Sequence, residues 1–174
     1  AADAFGAAHA FLMVGGTTSS VQTMILATCK AGDKIILPRN VHKSALNALA
    51  LCGAIPVYVD MTVQPRIGIA LGLENDAFAR AIVEHPDAVA VLINNPTYYG
   101  ICSDVKTLTE MAHKAGMKVL VDEAHGAHLH FSDQLPLSAM AAGADMAAVS
   151  MHKSGGSLTQ SSLLLVGSEM NVEY

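Results

Sequence analysis

The sequence has no apolar run that reaches the ~18 residues needed to cross a bilayer, because charges, glycines or prolines interrupt each one. No membrane partner is expected. Basic residues are scarce: 10 Lys and Arg against 15 Asp and Glu leave a net charge of -5. That balance argues against a general nucleic-acid binder, whose affinity rests on Lys and Arg neutralising phosphates. Cysteine is scarcer still. Cys29, Cys52 and Cys102 are far apart and show no CxxC spacing, so they fit reduced thiols rather than a disulfide framework, and a cytoplasmic location is the expectation. Neither GxxxxGK[ST] nor GxGxxG occurs, which removes the usual nucleotide-binding loops. The opening AADAFGAAHAF has neither the basic stretch nor the uninterrupted apolar segment of a secretory leader. It does not begin with methionine either, and the chain is read as an excerpt or processed piece of something longer. What is there is 174 residues, 52% hydrophobic and 14% charged, the size of one domain with much interior and little solvated face. Part of so apolar a surface is expected to be covered by a partner.

Hydrophobic patterning predicts alternating elements along the chain. Residues 1–8 read as a helix and 10–14 as a buried strand running into GGTTSS, after which SVQTMILATCK has helical spacing. KIILP is a strand, 42–51 a helix, AIPVYV a strand, 61–73 turn-rich, and 74–85 a helix closed by Pro86. AVAVLI is a strand into NNPTYYG; Asp104 caps a helix to about 115; MKVLVD is a strand into DEAHGAHLH. Residues 138–142 read as a short helix, ADMAAVS as a strand ending at SMHKSGG, and SSLLLV as a last strand. Strands that are apolar throughout and alternate with helices mean a three-layer α/β domain, a mostly parallel sheet with helices on both faces.

In such sheets ligands bind beyond the carboxyl ends of the strands. Here those ends read GGTTSS, PRNVHKS, NNPTYYG, DEAHGAH and SMHKSGG, and they hold nearly every chemically able group. Lys153, at the end of an apolar strand, is either a solvated loop lysine or a desolvated amine able to form a Schiff base with an aldehyde. GGTTSS before a helix is either an ordinary cap and turn or an anion cradle. As a cradle it would use free amides, the hydroxyls of Thr17, Thr18 and Ser19, and glycines that permit close approach. The acidic net charge and missing phosphate loop disfavour a helicase reading of DEAH. Asp122, His125, His128 and His130 could ligate zinc, though alternation need not bring Asp122 to the histidines. The third reading makes Asp122 the buried partner of a cationic ring nitrogen. A phosphate cradle, a carboxylate for a ring nitrogen and a lysine for an aldehyde together describe a site for pyridoxal 5'-phosphate (PLP). His42 could stack on the ring, and Ser150 and His152 could add donors to the phosphate. No metal is expected, and His9, His85 and His113 are read as structural.

GGTTSS, PRNVHKSALNAL, GAIPVYV, HPDAVAVLINNPTYYGI, VLVDEAHGAHLHF, LPLSAMAAGADMA and SMHKSGGSLTQSSLL closely resemble the large domain of the ornithine/lysine/arginine decarboxylases. These are PLP-dependent enzymes of the aspartate-aminotransferase fold (fold type I). HKSGGSLTQSS is most similar to the biosynthetic arginine-decarboxylase branch. The resemblance implies that residues 1–174 are a PLP-binding large domain and part of a longer chain. It implies further that Lys153 forms the internal aldimine, Asp122 pairs with the pyridine nitrogen and His42 stacks on the ring. Thr17, Thr18, Ser19, Ser150 and His152 would hold the phosphate, Ala124 would lie against the ring, and His125 would contact its 3-hydroxyl. Decarboxylation of arginine, lysine or ornithine in a homodimer or higher homo-oligomer follows from the same resemblance; transamination on the scaffold, or an inactive fragment, is the alternative. Two departures stand out: Gly15 replaces the family's usual asparagine, and Ser154 and Gly155 stand where a leucine is common.

Overall fold

Each apolar strand has two faces to bury, and the chain supplies a layer of helices for each. The computed structural model describes residues 1–172. The elements are α1 (Ala2–Phe5), β1 (His9–Met13), α2 (Gly16–Thr28), β2 (Lys34–Pro38), α3 (Lys43–Cys52) and β3 (Ile55–Val59). A small hairpin follows, β4 (Val63–Gln64) and β5 (Ile69–Ala70), then α4 (Asn75–Glu84), β6 (Ala88–Asn94), α5 (Val105–Lys114) and β7 (Lys118–Asp122). A 3-10 turn at Leu129–Phe131, β8 (Met146–Ser150), α6 (Met151–Ser154) and β9 (Ser162–Val166) complete it.

Seven strands form one sheet in the order β1-β9-β8-β7-β6-β2-β3. Every pairing from β3 to β8 is parallel, whereas β9 runs against both β8 and β1. Side chains alternate across the sheet. Ile36, Val91, Ile93, Val119 and Val121 pack with Phe78 of α4 and Leu108 of α5 on one face. Ile35, Leu37, Leu92 and Leu120 pack with Met24 and Ile25 of α2 and Leu49 of α3 on the other. Full burial of each such side chain is worth about 1.5–3 kcal/mol, which is why both halves of the period are apolar. Among the described residues no helix is long and apolar enough to cross a membrane.

Several boundaries differ from the sequence expectation. The first helix stops at Phe5 because Gly6 takes the left-handed conformation (φ 63°) and its amide turns back to Ala2 and Asp3. His9 accordingly opens β1 instead of ending a helix. The expected helix over 138–142 is only a turn: the Ala142 amide bonds back to the Ser138 carbonyl at 2.9 Å, and Gly143 directly after it takes the left-handed conformation (φ 84°). GGTTSS is itself the start of α2, and SMHKSGG folds into the four-residue α6 rather than an open loop. Asp104 caps α5 as expected, its Oδ1 accepting from the Thr107 amide at 3.2 Å.

At the end of the sheet where β7 and β8 begin, Asp145 is buried under a ring of donors. His113 Nε2, Lys118 Nζ and the Val119 amide each lie 2.8 Å from its carboxylate. Burial pulls its pKa up, but the Lys118, Val119 and His113 hydrogen bonds together outweigh burial and hold the carboxyl below its ordinary range. His113 is thus structural, as read from the sequence.

Candidate functional site

The opposite end of the sheet, where the parallel strands finish, opens into a cavity of about 550 Å³. Asp122 is the last residue of β7, in register with Asn94 of β6 and Ala148 of β8, so the sheet delivers its carboxyl to the middle of the cavity wall. It is only 6% exposed. Burial raises its pKa; the Ala124 amide, which donates to Oδ1 at 3.2 Å, and the charges of Lys153 and His42 pull the other way. A buried carboxyl at a cavity wall is a seat for a cationic group.

His42 is the N-cap of α3. Its Nδ1 accepts from the Ser44 amide at 3.2 Å and lies 2.8 Å from Ser44 Oγ, which fixes the ring where it lines the cavity. Thr17 and Thr18, in the first turn of α2, line it too, and the cap residue Gly15 supplies no side chain to that turn's amides. Thr17 Oγ1 is hydrogen-bonded to Ser150 Oγ and donates to Ser162 Oγ at 3.2 Å; Ser20 Oγ lies 2.9 Å from Ser162 Oγ. This chain of hydroxyls ties α2 to the ends of β8 and β9. Ser19 stands apart: its hydroxyl donates to the Gly16 carbonyl at 3.1 Å, and it is not part of the cavity wall. Ala124, Ser150 and His152 line the cavity, with His152 Nδ1 bonded to the Ser161 carbonyl at 2.8 Å.

Lys153 also lines the cavity, but it is exposed rather than desolvated. The reason is α6, which carries it past the buried end of β8 and leaves its stem in the open. Its Nζ lies 3.1 Å from His125 Nε2. Burial, and then the Lys153 charge, push the His125 pKa down. The zinc alternative loses its geometry: His130 Nδ1 is engaged by Ser138 Oγ at 3.0 Å, and among the described residues no three His, Cys, Asp or Glu side chains converge.

Among the lining residues with no role assigned from sequence are Asn40, Lys43, Asn94, Tyr98 and Gln160. The first four lie in PRNVHKS and NNPTYYG, two of the polar strand ends, so their location was signalled though their contacts were not. Asn40 Oδ1 is buried without a partner among the described residues. Gln160 arrives from the start of the reversed β9, which strand-end logic does not anticipate. It packs on Gly16, where an added Cβ would stand 2.9 Å from Gln160 Cγ and where φ is +71°. That is the close approach the glycine permits.

The profile of the family described as Orn/Lys/Arg decarboxylase, major domain, matches residues 1–174. The chain is 54% identical over 164 residues to arginine decarboxylase of Bacillus subtilis (strain 168), covering 94% of this chain and 34% of that protein. It is 30% identical over 146 residues to biodegradative arginine decarboxylase of Escherichia coli (strain K12), covering 76% and 19%. The chain therefore spans about a third, or less, of the length of these curated relatives. The constitutive lysine decarboxylase of E. coli superposes with a TM-score of 0.86 at 25% identity, over 98% of this chain and 26% of that one. An N-succinyldiaminopimelate aminotransferase from Mycobacterium tuberculosis gives 0.70 at 23% identity, over 90% and 41%. The architecture expected from the resemblance, a fold-type-I large domain, is the one observed.

Proposed function

The chain belongs to the Orn/Lys/Arg decarboxylase family, and from that premise we propose that residues 1–174 are the cofactor-binding large domain of a PLP-dependent decarboxylase of a basic amino acid. Arginine is the favoured substrate, because relatives named arginine decarboxylase share 50–54% of their residues with it. The observation that carries the reading is the buried Asp122 carboxyl on the wall of the cavity that Lys153 also lines.

The residues fit PLP on the chemistry of their donors. Asp122 would gain the cation that its buried carboxyl lacks, and would keep the proton on the ring nitrogen. Thr17 and Thr18 at the head of α2, with Ser150 and His152, would hold the phosphate by hydroxyls, imidazole and helix-terminal amides. His42 would stack on the ring, Ala124 would lie against it without crowding, and Lys153 would be the amine that bonds to the aldehyde. When bound, PLP supplies the electron sink for the pair released as the bond from the α-carbon to its carboxylate breaks. The protein's share would be orientation: His42 and Ala124 against the ring, with Asp122 setting its charge, would decide which substrate bond faces the sink. A cytoplasmic location and a homodimer or higher homo-oligomer complete the proposal.

Borohydride reduction of the PLP-loaded protein, expressed in its full reading frame, followed by peptide mapping, should find the pyridoxyl group on Lys153. Lys153→Ala should lose that adduct and lower carbon dioxide release from arginine by orders of magnitude. A reducible lysine adduct persisting at the same site in the variant would overturn the assignment.

A further inference from the structure

Lys153 lines the cavity together with Asp122, which feels its charge, but among the described residues it forms no ion pair. What it does have is an imidazole: Nζ stands 3.1 Å from His125 Nε2. The two are held together by more than this contact. Ser154 Oγ donates to the His125 carbonyl at 3.4 Å, fastening α6 to the turn after β7. The Tyr98 ring meets the imidazole edge-on, with centroids 5.5 Å apart and planes at 83°, and limits its rotation.

We propose that His125 is a positioning residue for Lys153, a seat that holds the amine whenever it is not bonded to the cofactor. The inference rests on the reading of Lys153 as the cofactor's amine and adds where that amine resides before loading and after a substrate amine displaces it. The lysine ammonium donates and Nε2 accepts, so the imidazole proton belongs on Nδ1. Burial and the neighbouring ammonium keep His125 neutral at pH 7, which is the state that can accept. On acidification the imidazole is protonated, can no longer accept, and repels the ammonium; the seat is lost below the His125 pKa. The other ionisable groups on the cavity wall are Asp122, His42, Lys43, His152 and Tyr98. Asp122 feels the Lys153 charge, and none of the remaining four has a hydrogen bond to Nζ among the described residues.

The test uses cofactor-free protein in its full reading frame, trace-labelled with acetic anhydride at pH 8, with Lys153 read against exposed Lys106 by mass spectrometry. An amine held against another side chain is less free to attack the anhydride, so Lys153 should label several-fold slower in the wild type than in His125→Phe. His125→Gln, whose amide oxygen can still accept, should restore slow labelling. Equal labelling in all three proteins, or fast labelling in both variants, would overturn the seat. Failure to find a pyridoxyl group on wild-type Lys153 would instead overturn the cofactor reading, so the two failures are told apart.

Discussion

Glu123 sits next to Asp122 in sequence and does a different job. It is buried, its Oε1 accepts from the Ala139 amide at 2.7 Å, and burial, only partly offset by that bond, pushes its carboxyl up to about 8 from 4.5. At neutral pH the folded chain keeps a proton there that the unfolded chain has lost. Stability contributed at this position therefore falls as pH rises from about 4.5 to about 8 and is level above that. Glu123→Gln keeps the acceptor for Ala139 and cannot ionise. Thermal melts should show the variant equal to the wild type near pH 5 and more stable at and above about pH 8; parallel curves across that range would refute the buried-acid assignment. The sequence made Asp122 legible, because a carboxylate closing an apolar strand has one obvious destination. It did not say that the neighbouring Glu123 would be kept neutral, since the amide that binds Glu123 comes from Ala139, in a turn that local propensity reads as helix.

At the scale of elements, strands were legible because residues such as Ile35 and Ile36, or Val91 and Leu92, are apolar on both halves of the period and so require two covering layers. The direction of β9 was not legible: SSLLLV reads the same either way, and its reversal follows from the short return from β8. Nor was the tie between α5, β7 and β8, because His113, Lys118 and Asp145 meet only in space. Asp145→Ala would leave the Val119 amide, the Lys118 ammonium and the His113 ring without their acceptor. His113 and Lys118 are partly exposed and can rehydrate, so the expected loss is about 3 kcal/mol rather than more. Urea unfolding would measure it, and a loss below about 1 kcal/mol would mean the cluster is ornamental. In the wild type this contribution is present above the ordinary carboxylate range and is lost as pH falls through the depressed Asp145 pKa. Because the cluster lies at the far end of the sheet from the cavity, PLP loading of the folded variant should be unchanged.

For the molecule as a whole, the informative surface is apolar. Leu12, Val14 and Leu158 are 82%, 87% and 91% exposed, on and beside edge strand β1 and in the segment before β9. Exposed side chains of this kind are what association covers. The 174-residue chain by itself should run as a dimer or larger species in light scattering, and Val14→Glu with Leu158→Glu should shift it toward monomer; a monomeric wild type would count against a covered face. The reversed β9 has one more effect. Ser150 and Ser162 face each other across the β8–β9 pair, so the span between them leaves the sheet and returns to it at neighbouring points. Lys153 rides on an arch with both feet embedded. Its reach is set by the flexible four-carbon stem of the side chain, and in the proposed role the amine would swing between partners above a span anchored to the sheet at both ends.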